Sequence, residues 1–171
     1  MSDPDATRRR TLEWEDPTRH LGEAANSPPL DYLRRIMDGE IPPPPIGVFM
    51  NMEGVAIDEG RAVIAAEPGE EHYNAIGMVH AGVAMTLLDT AMGFAVHSTL
   101  PQGSRYATVE VNVNLVRPIT SATRRITCEA KVVHVGRTVA TAEGRVEDRR
   151  GRVLAHGSCT CMVFRPPEEA S

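Results

Sequence analysis

The sequence predicts an α+β domain in which an antiparallel sheet wraps one buried helix. Two observations carry that prediction. Residues 79–97 place apolar side chains on every side of a helical wheel, the mark of a helix enclosed by protein. Six β-compatible segments accompany it, and the last four are separated by turns and not by helices. They are therefore antiparallel neighbours with no βαβ rhythm. At 171 residues the chain has room for one such domain plus a tail.

Residues 1–29 are polar blocks around Arg8-Arg9-Arg10, Trp14 and Pro28-Pro29, the composition of a loosely ordered arm. Residues 31–39 read as a short helix: Tyr32, Leu33 and Ile36 share a face, and Gly39 stands at the usual stop position. Pro42 to Pro45 form a polyproline spacer expected to run on in extended form. The boundaries follow: an arm over 1–45, the domain over 46–165 and a short tail over 166–171.

Residues 46–57 and 61–67 are β-compatible and flank the turn Asp58-Glu59-Gly60. Residues 108–116 alternate strictly. Val109, Val111, Val113 and Leu115 are expected on one face, with Thr108, Glu110, Asn112 and Asn114 on the other. Strands at 126–133, 138–146 and 152–164 complete the set. Cys159 and Cys161, two apart on the last strand, share a face and read as buried thiols, with no third metal ligand near them in sequence.

Composition excludes several functions. Hydrophobic residues at 42% and charged residues at 24% describe a globular chain. The longest nearly uncharged stretch, 73–100, is broken by Asp89 and is a poor membrane span. The first residues lack the basic-then-apolar pattern of a secretory signal, and three cysteines without CxxC spacing form no disulfide framework. A cytoplasmic protein is expected. Residues 1–100 hold 7 basic and 16 acidic side chains, whereas residues 101–171 hold 11 and 7. That asymmetry suits solvated strand faces or an anionic ligand at the C-terminal half. With 4% aromatics and an acidic total, nucleic acid is not an expected partner. No glycine-rich phosphate loop, nucleophile-elbow serine or metal-spaced cluster occurs, so neither metal nor resident cofactor is expected.

Asp89 is the one charged residue in the helical stretch. An unpaired ionised group in an apolar interior costs several kcal/mol, against the ~5–15 kcal/mol that stabilises a whole domain. Asp89 is thus either a structural carboxylate, capped or paired, or a working one that acts as base on water or as nucleophile. Residues 74–82 pass from loop into helix and are rich in small side chains, which let a ligand approach the backbone. The first N–H groups of a helix lack internal partners and can hold an oxyanion. Asp89 lies about 11–12 Å further along the axis, too far to act on a carbonyl held there. A second copy packed antiparallel would bring its own Asp89 to that point, so the spacing suggests a site shared across a dimer. His80 taken alone reads first as a satisfied structural histidine, and Asn74 alone is equally weak as a signal and reads as a turn former.

Together these residues resemble a known family. The pattern Asn74-x5-His80-Ala81-Gly82-x6-Asp89, the strand from Thr108 to Pro118, the run from Val132 to Thr138 and Asp148-x2-Gly151-Arg152-Val153-Leu154-Ala155 are similar to PaaI-type hotdog-fold acyl-CoA thioesterases over about residues 46–165. The resemblance implies a curled antiparallel sheet of five or six strands around the helix, homodimers with a continuous sheet, and a homotetramer of two dimers. It implies Asp89 as catalytic carboxylate, Ala81 and Gly82 as backbone oxyanion donors, and Asn74 and His80 as carbonyl-positioning groups. Thr108 would hold the attacking water. Gly136, Arg137 and Thr138, with Arg117 less firmly placed, would meet the CoA part of the substrate. Ala81 departs from the family's usual glycine, and Gly93 stands where one branch with a helical Glu has Thr. A non-hydrolytic thioester-binding module is the alternative, motivated by Ala81 and the acidic arm, and a hotdog dehydratase ranks below it.

Overall fold

The computed structural model describes residues 7–166. Six strands form one antiparallel sheet: β1 (Met52–Asp58), β2 (Arg61–Ala66), β3 (Arg105–Leu115), β4 (Ile126–Val135), β5 (Val139–Asp148) and β6 (Val153–Phe164), in spatial order β1-β2-β4-β5-β6-β3. The long helix, α4 in chain order (Ala81–His97), packs on β4, β2 and β5. Leu87, Leu88 and Met92 of the helix share one core cluster with Ile126, Val146 and Leu154 of the sheet, all fully buried. Small inward residues on the central strands, among them Ala62, Ala130 and Ala142, let the sheet close around the helix.

The segment before β1 is more structured than its composition suggests. Residues Leu21–Asn26 form α1, Pro29–Met37 form α2 and Pro45–Phe49 form α3. Helix α2 contains most of the expected 31–39 helix and packs on β1, with Gly39 just beyond it at φ +75°. The expected strand over 46–57 is corrected: Pro45 occupies the first helical position, where its missing N–H costs nothing, and the strand starts only at Met52. Asn51, at φ +51°, turns the chain between α3 and β1.

Strand β3 carries a second correction. Its pairing with β6 runs Thr108 to Cys161 and then Glu110 to Thr160, which leaves Val109 in a bulge, 59% exposed. The bulge resets the alternation. Tyr106 and Thr108, half-buried, share the inward side with Val111 and Val113, while Leu115 is exposed.

Candidate active site

The loop before α4 is held by its own polar atoms. Asn74 Oδ1 accepts the N–H groups of Ile76 (3.0 Å) and Met78 (3.1 Å), and the Asn74 N–H donates to the Met78 carbonyl at 2.7 Å. Asn74 is therefore a turn former, yet its Nδ2 has no acceptor among the described residues. The loop is pinned at its far end, where the Val79 N–H donates to the Ile119 carbonyl (3.0 Å) and Tyr73 bonds Ser121.

His80 caps the helix. Its Nδ1 accepts the Gly82 N–H at 2.9 Å, which puts the proton of the neutral ring on Nε2. A Cβ at position 82 would lie 2.9 Å from that Nδ1, so the cap requires glycine. Because Gly82 is occupied in this way, the first helical N–H, that of Ala81, is the one left without an acceptor among the described residues.

Asp89 lies two turns on, half-buried, along a stripe of α4 that the sheet of its own chain leaves partly uncovered. Ala81, Met85, Thr86, Phe94 and His97 belong to the same stripe, and Met85 is 43% exposed. Asp89 Oδ1 is buried with no hydrogen-bond partner, and no arginine bridges this carboxylate among the described residues.

The sheet sets Tyr106, Cys159 and Cys161 within electrostatic reach of Asp89, with Thr108 beside Cys161. Thr108 Oγ1 is 3.9 Å from Cys161 Sγ, and the two sulfurs are 3.8 Å apart. Burial, then the charges of Cys161 and Asp89, push the Tyr106 phenol upward from its ordinary range. Cys159, hydrogen-bonded to Cys161 and buried, is held as the thiol. The Tyr106 hydroxyl occupies the space over Gly93, where a Cβ would come within 2.5 Å of it. Gly93 thus makes room for a tyrosine, a role its place in the sequence did not reveal.

The remaining residues are scattered over the single chain. Gly136, Arg137 and Thr138 form the exposed β4–β5 turn; Arg165 donates to the Gly136 (3.2 Å) and Arg137 (3.3 Å) carbonyls, and Thr138 bonds the end of β6. Arg117 sits at the opposite end of the sheet and donates to the Val153 carbonyl. The Ala81 end of α4 and the 136–138 turn are likewise at opposite ends. A groove of about 710 Å³ lies on the sheet face turned away from α4, lined by Asn112, Lys131, Glu143 and Arg145. None of Asn74, His80, Ala81, Asp89 or Thr108 borders it.

Comparisons with known proteins agree with this architecture. The sequence profile of the Thioesterase superfamily matches residues 76–155, which contain Ala81, Asp89 and Thr108. A Halobacterium salinarum protein with an esterase designation is 45% identical over 106 residues, 57% of this chain and 64% of that one, just under two thirds of its length. Human acyl-coenzyme A thioesterase 13 is 29% identical over 107 residues, covering 62% of this chain and 75% of its own. Among solved structures, a phenylacetic acid degradation-related protein of Ralstonia eutropha JMP134 superposes with a TM-score of 0.69 at 25% identity, over 77% of this chain and 98% of that one. The Escherichia coli PaaI protein gives the same TM-score at 17% identity, over 80% and 96%, a likeness of fold. The six-stranded sheet and its central helix are the hotdog arrangement.

Proposed function

We propose that the protein hydrolyses an acyl-CoA thioester to the free acid and CoA, in a site completed by a second copy of the chain; the match of residues 76–155 to the Thioesterase superfamily profile supports this reading. The observation that carries this reading is Asp89, a carboxylate with a buried oxygen that nothing among the described residues satisfies. Native proteins rarely leave such an atom unpaired without a use for it.

Two features support a shared site. The stripe of α4 around Met85 and Asp89 is only partly covered by the described residues of its own chain, and Met85 is 43% exposed. Strand β3 is an edge eleven residues long, with Val109 and Leu115 exposed, and such an edge invites another strand. Two-fold pairing of β3 with its copy sets the two helices antiparallel and brings each Asp89 toward the partner's helix N-terminus. A pair of such dimers gives the tetramer implied by the family resemblance.

In this arrangement the Ala81 N–H and Asn74 Nδ2 of one chain receive the thioester carbonyl oxygen, and His80 shapes the loop that presents them. Asp89 of the other chain removes a proton from water while the water oxygen bonds to the carbonyl carbon. Thr108, from the same chain as Asp89, holds that water. Negative charge on the carbonyl oxygen falls on the Ala81 N–H and the positive end of the helix. The carbon–sulfur bond then breaks, and the departing CoA thiolate takes the proton from Asp89. Heavy oxygen found in Asp89 after one turnover in labelled water would instead assign it as nucleophile. Gly136, Arg137 and Thr138 contact the CoA nucleotide or pantetheine, Arg137 offering its cation to phosphate. Arg117 contributes less, since the Val153 carbonyl already engages it. Three unpaired cysteines suit a reducing cytoplasm, and no helix among the described residues is long and apolar enough to cross a membrane.

The test is a panel of short, long and aryl acyl-CoAs with thiol trapping. Thiol release matched by acid formation is expected. Tight acyl-CoA binding without thiol release would assign a thioester-binding module instead.

A further inference from the structure

Arg10 lies far from the matched domain in sequence but reaches the loop that feeds its helix. One guanidinium nitrogen donates to Glu71 Oε1 at 2.9 Å; the other donates to the Val48 carbonyl at 3.1 Å and to Asn51 Oδ1. Trp14, four residues on, rests against Phe49 with ring centroids 5.3 Å apart. The corner that Arg10 grips also carries His72, whose side chain is only 7% exposed. His72 Nδ1 accepts the Gly69 N–H at 3.0 Å, and its Nε2 donates to the Phe49 carbonyl at 3.2 Å. The His72 carbonyl in turn accepts the His80 N–H at 2.8 Å, directly before the capped first turn of α4. Arg10 also donates to the Phe49 carbonyl at 3.5 Å, so hydrogen bonds run from the arm through Phe49 and His72 to His80, the residue whose peptide bond carries the Ala81 amide.

We propose that Arg10 is a positioning residue for the thioester-cleaving site, fixing the Val48–Asn51 corner and, through His72 and His80, the aim of the Ala81 N–H; this rests on the function proposed above. An exposed ion pair by itself contributes little. Here the planar guanidinium is shared among a carboxylate, a side-chain amide oxygen and a backbone carbonyl, a geometry a lysine cannot reproduce. Losing it frees a corner whose small displacements pass to the oxyanion donor, and rates respond steeply to sub-ångström misplacement. The same contacts explain why the arm docks although its composition predicts little order: Arg8 also pairs with Glu70, at 3.0 Å.

Full-length Arg10→Met, Arg10→Lys and Glu71→Gln test this, with octanoyl-CoA and phenylacetyl-CoA as probes. In Arg10→Met, kcat should fall about tenfold while KM stays within about twofold, the thermal midpoint barely moves and the oligomer persists. Arg10→Lys should recover part of the loss, and Glu71→Gln should lose less than Arg10→Met. Amide hydrogen exchange over residues 72–82 should quicken in Arg10→Met. Unchanged kcat with unchanged exchange would overturn the proposal, as would a kcat loss that merely tracks loss of folded protein. If the wild-type chain releases no thiol from any acyl-CoA, the proposed reaction fails. Exchange at 72–82 then still decides whether Arg10 orders the loop.

Discussion

The two halves of the candidate site are built in opposite ways. In the loop over 69–82 the positioning bonds are all made within the chain: Asn74 closes its own turn, His72 serves Gly69 and Phe49, His80 caps Gly82, and Ile119 and Ser121 pin Val79 and Tyr73. Around Asp89 the geometry is unfinished. Among the described residues a carboxylate oxygen is buried without a partner, and the helix stripe that carries it is left partly uncovered. A self-satisfied loop is a finished tool, with one open amide that the proposed reading uses to hold an oxyanion. An orphaned carboxylate is half of one, and in the proposed reading a substrate and a second subunit supply the missing half.

That contrast can be broken at either end. Asp89→Asn should have the largest effect, lowering kcat about 10³-fold, in line with loss of a positioned acid–base group. Because it removes a charge and no packing, circular dichroism should show the same fold, and sedimentation the same oligomer. Met85→Lys should come next. It places a cation where the uncovered stripe is to be buried, so sedimentation velocity should report monomers and activity should drop roughly tenfold or more. Ala81→Gly should do least. It keeps the open N–H and removes only a methyl, so steady-state rates should stay within about twofold, with a slightly lower thermal midpoint from the added backbone freedom. A collapse of activity in Ala81→Gly would mean the methyl itself shapes the site.

Much of the fold was legible because it is written in periodicity. The all-apolar helix, the turn at Gly60 and the strands over 126–164 follow from spacing that tertiary contacts only reinforce. What escaped depends on contacts between distant residues. The bulge at Val109 reverses which side chains face inward, and nothing in 108–116 signals it, since strict alternation looks the same with or without an extra residue. The start of β1 was misplaced because an apolar run such as Ile46-Gly47-Val48-Phe49 suits a short helix as well as a strand. At the site, the residue types around Asp89 and 74–82 were readable, whereas their hydrogen bonds were not. That His80 takes up Gly82, and that Gly93 yields space to Tyr106, are facts of three-dimensional proximity. The arm was hardest: its order comes from Arg8, Arg10 and Trp14 reaching residues about 35–62 positions away.

The central claim, that each site joins Asp89 of one chain to the Ala81 amide of another, is tested most directly by mixing two inactive variants. Asp89→Asn lacks the carboxylate. Ala81→Pro lacks only the N–H, at a first helical position that accepts proline, behind a His80 already extended at ψ 138°. Co-refolded in equal amounts, half the dimers are mixed and each mixed dimer holds one intact site, so about a quarter of wild-type thiol release should return. Mixed dimers, verified by mass, that remain as inactive as either parent would contradict the shared site.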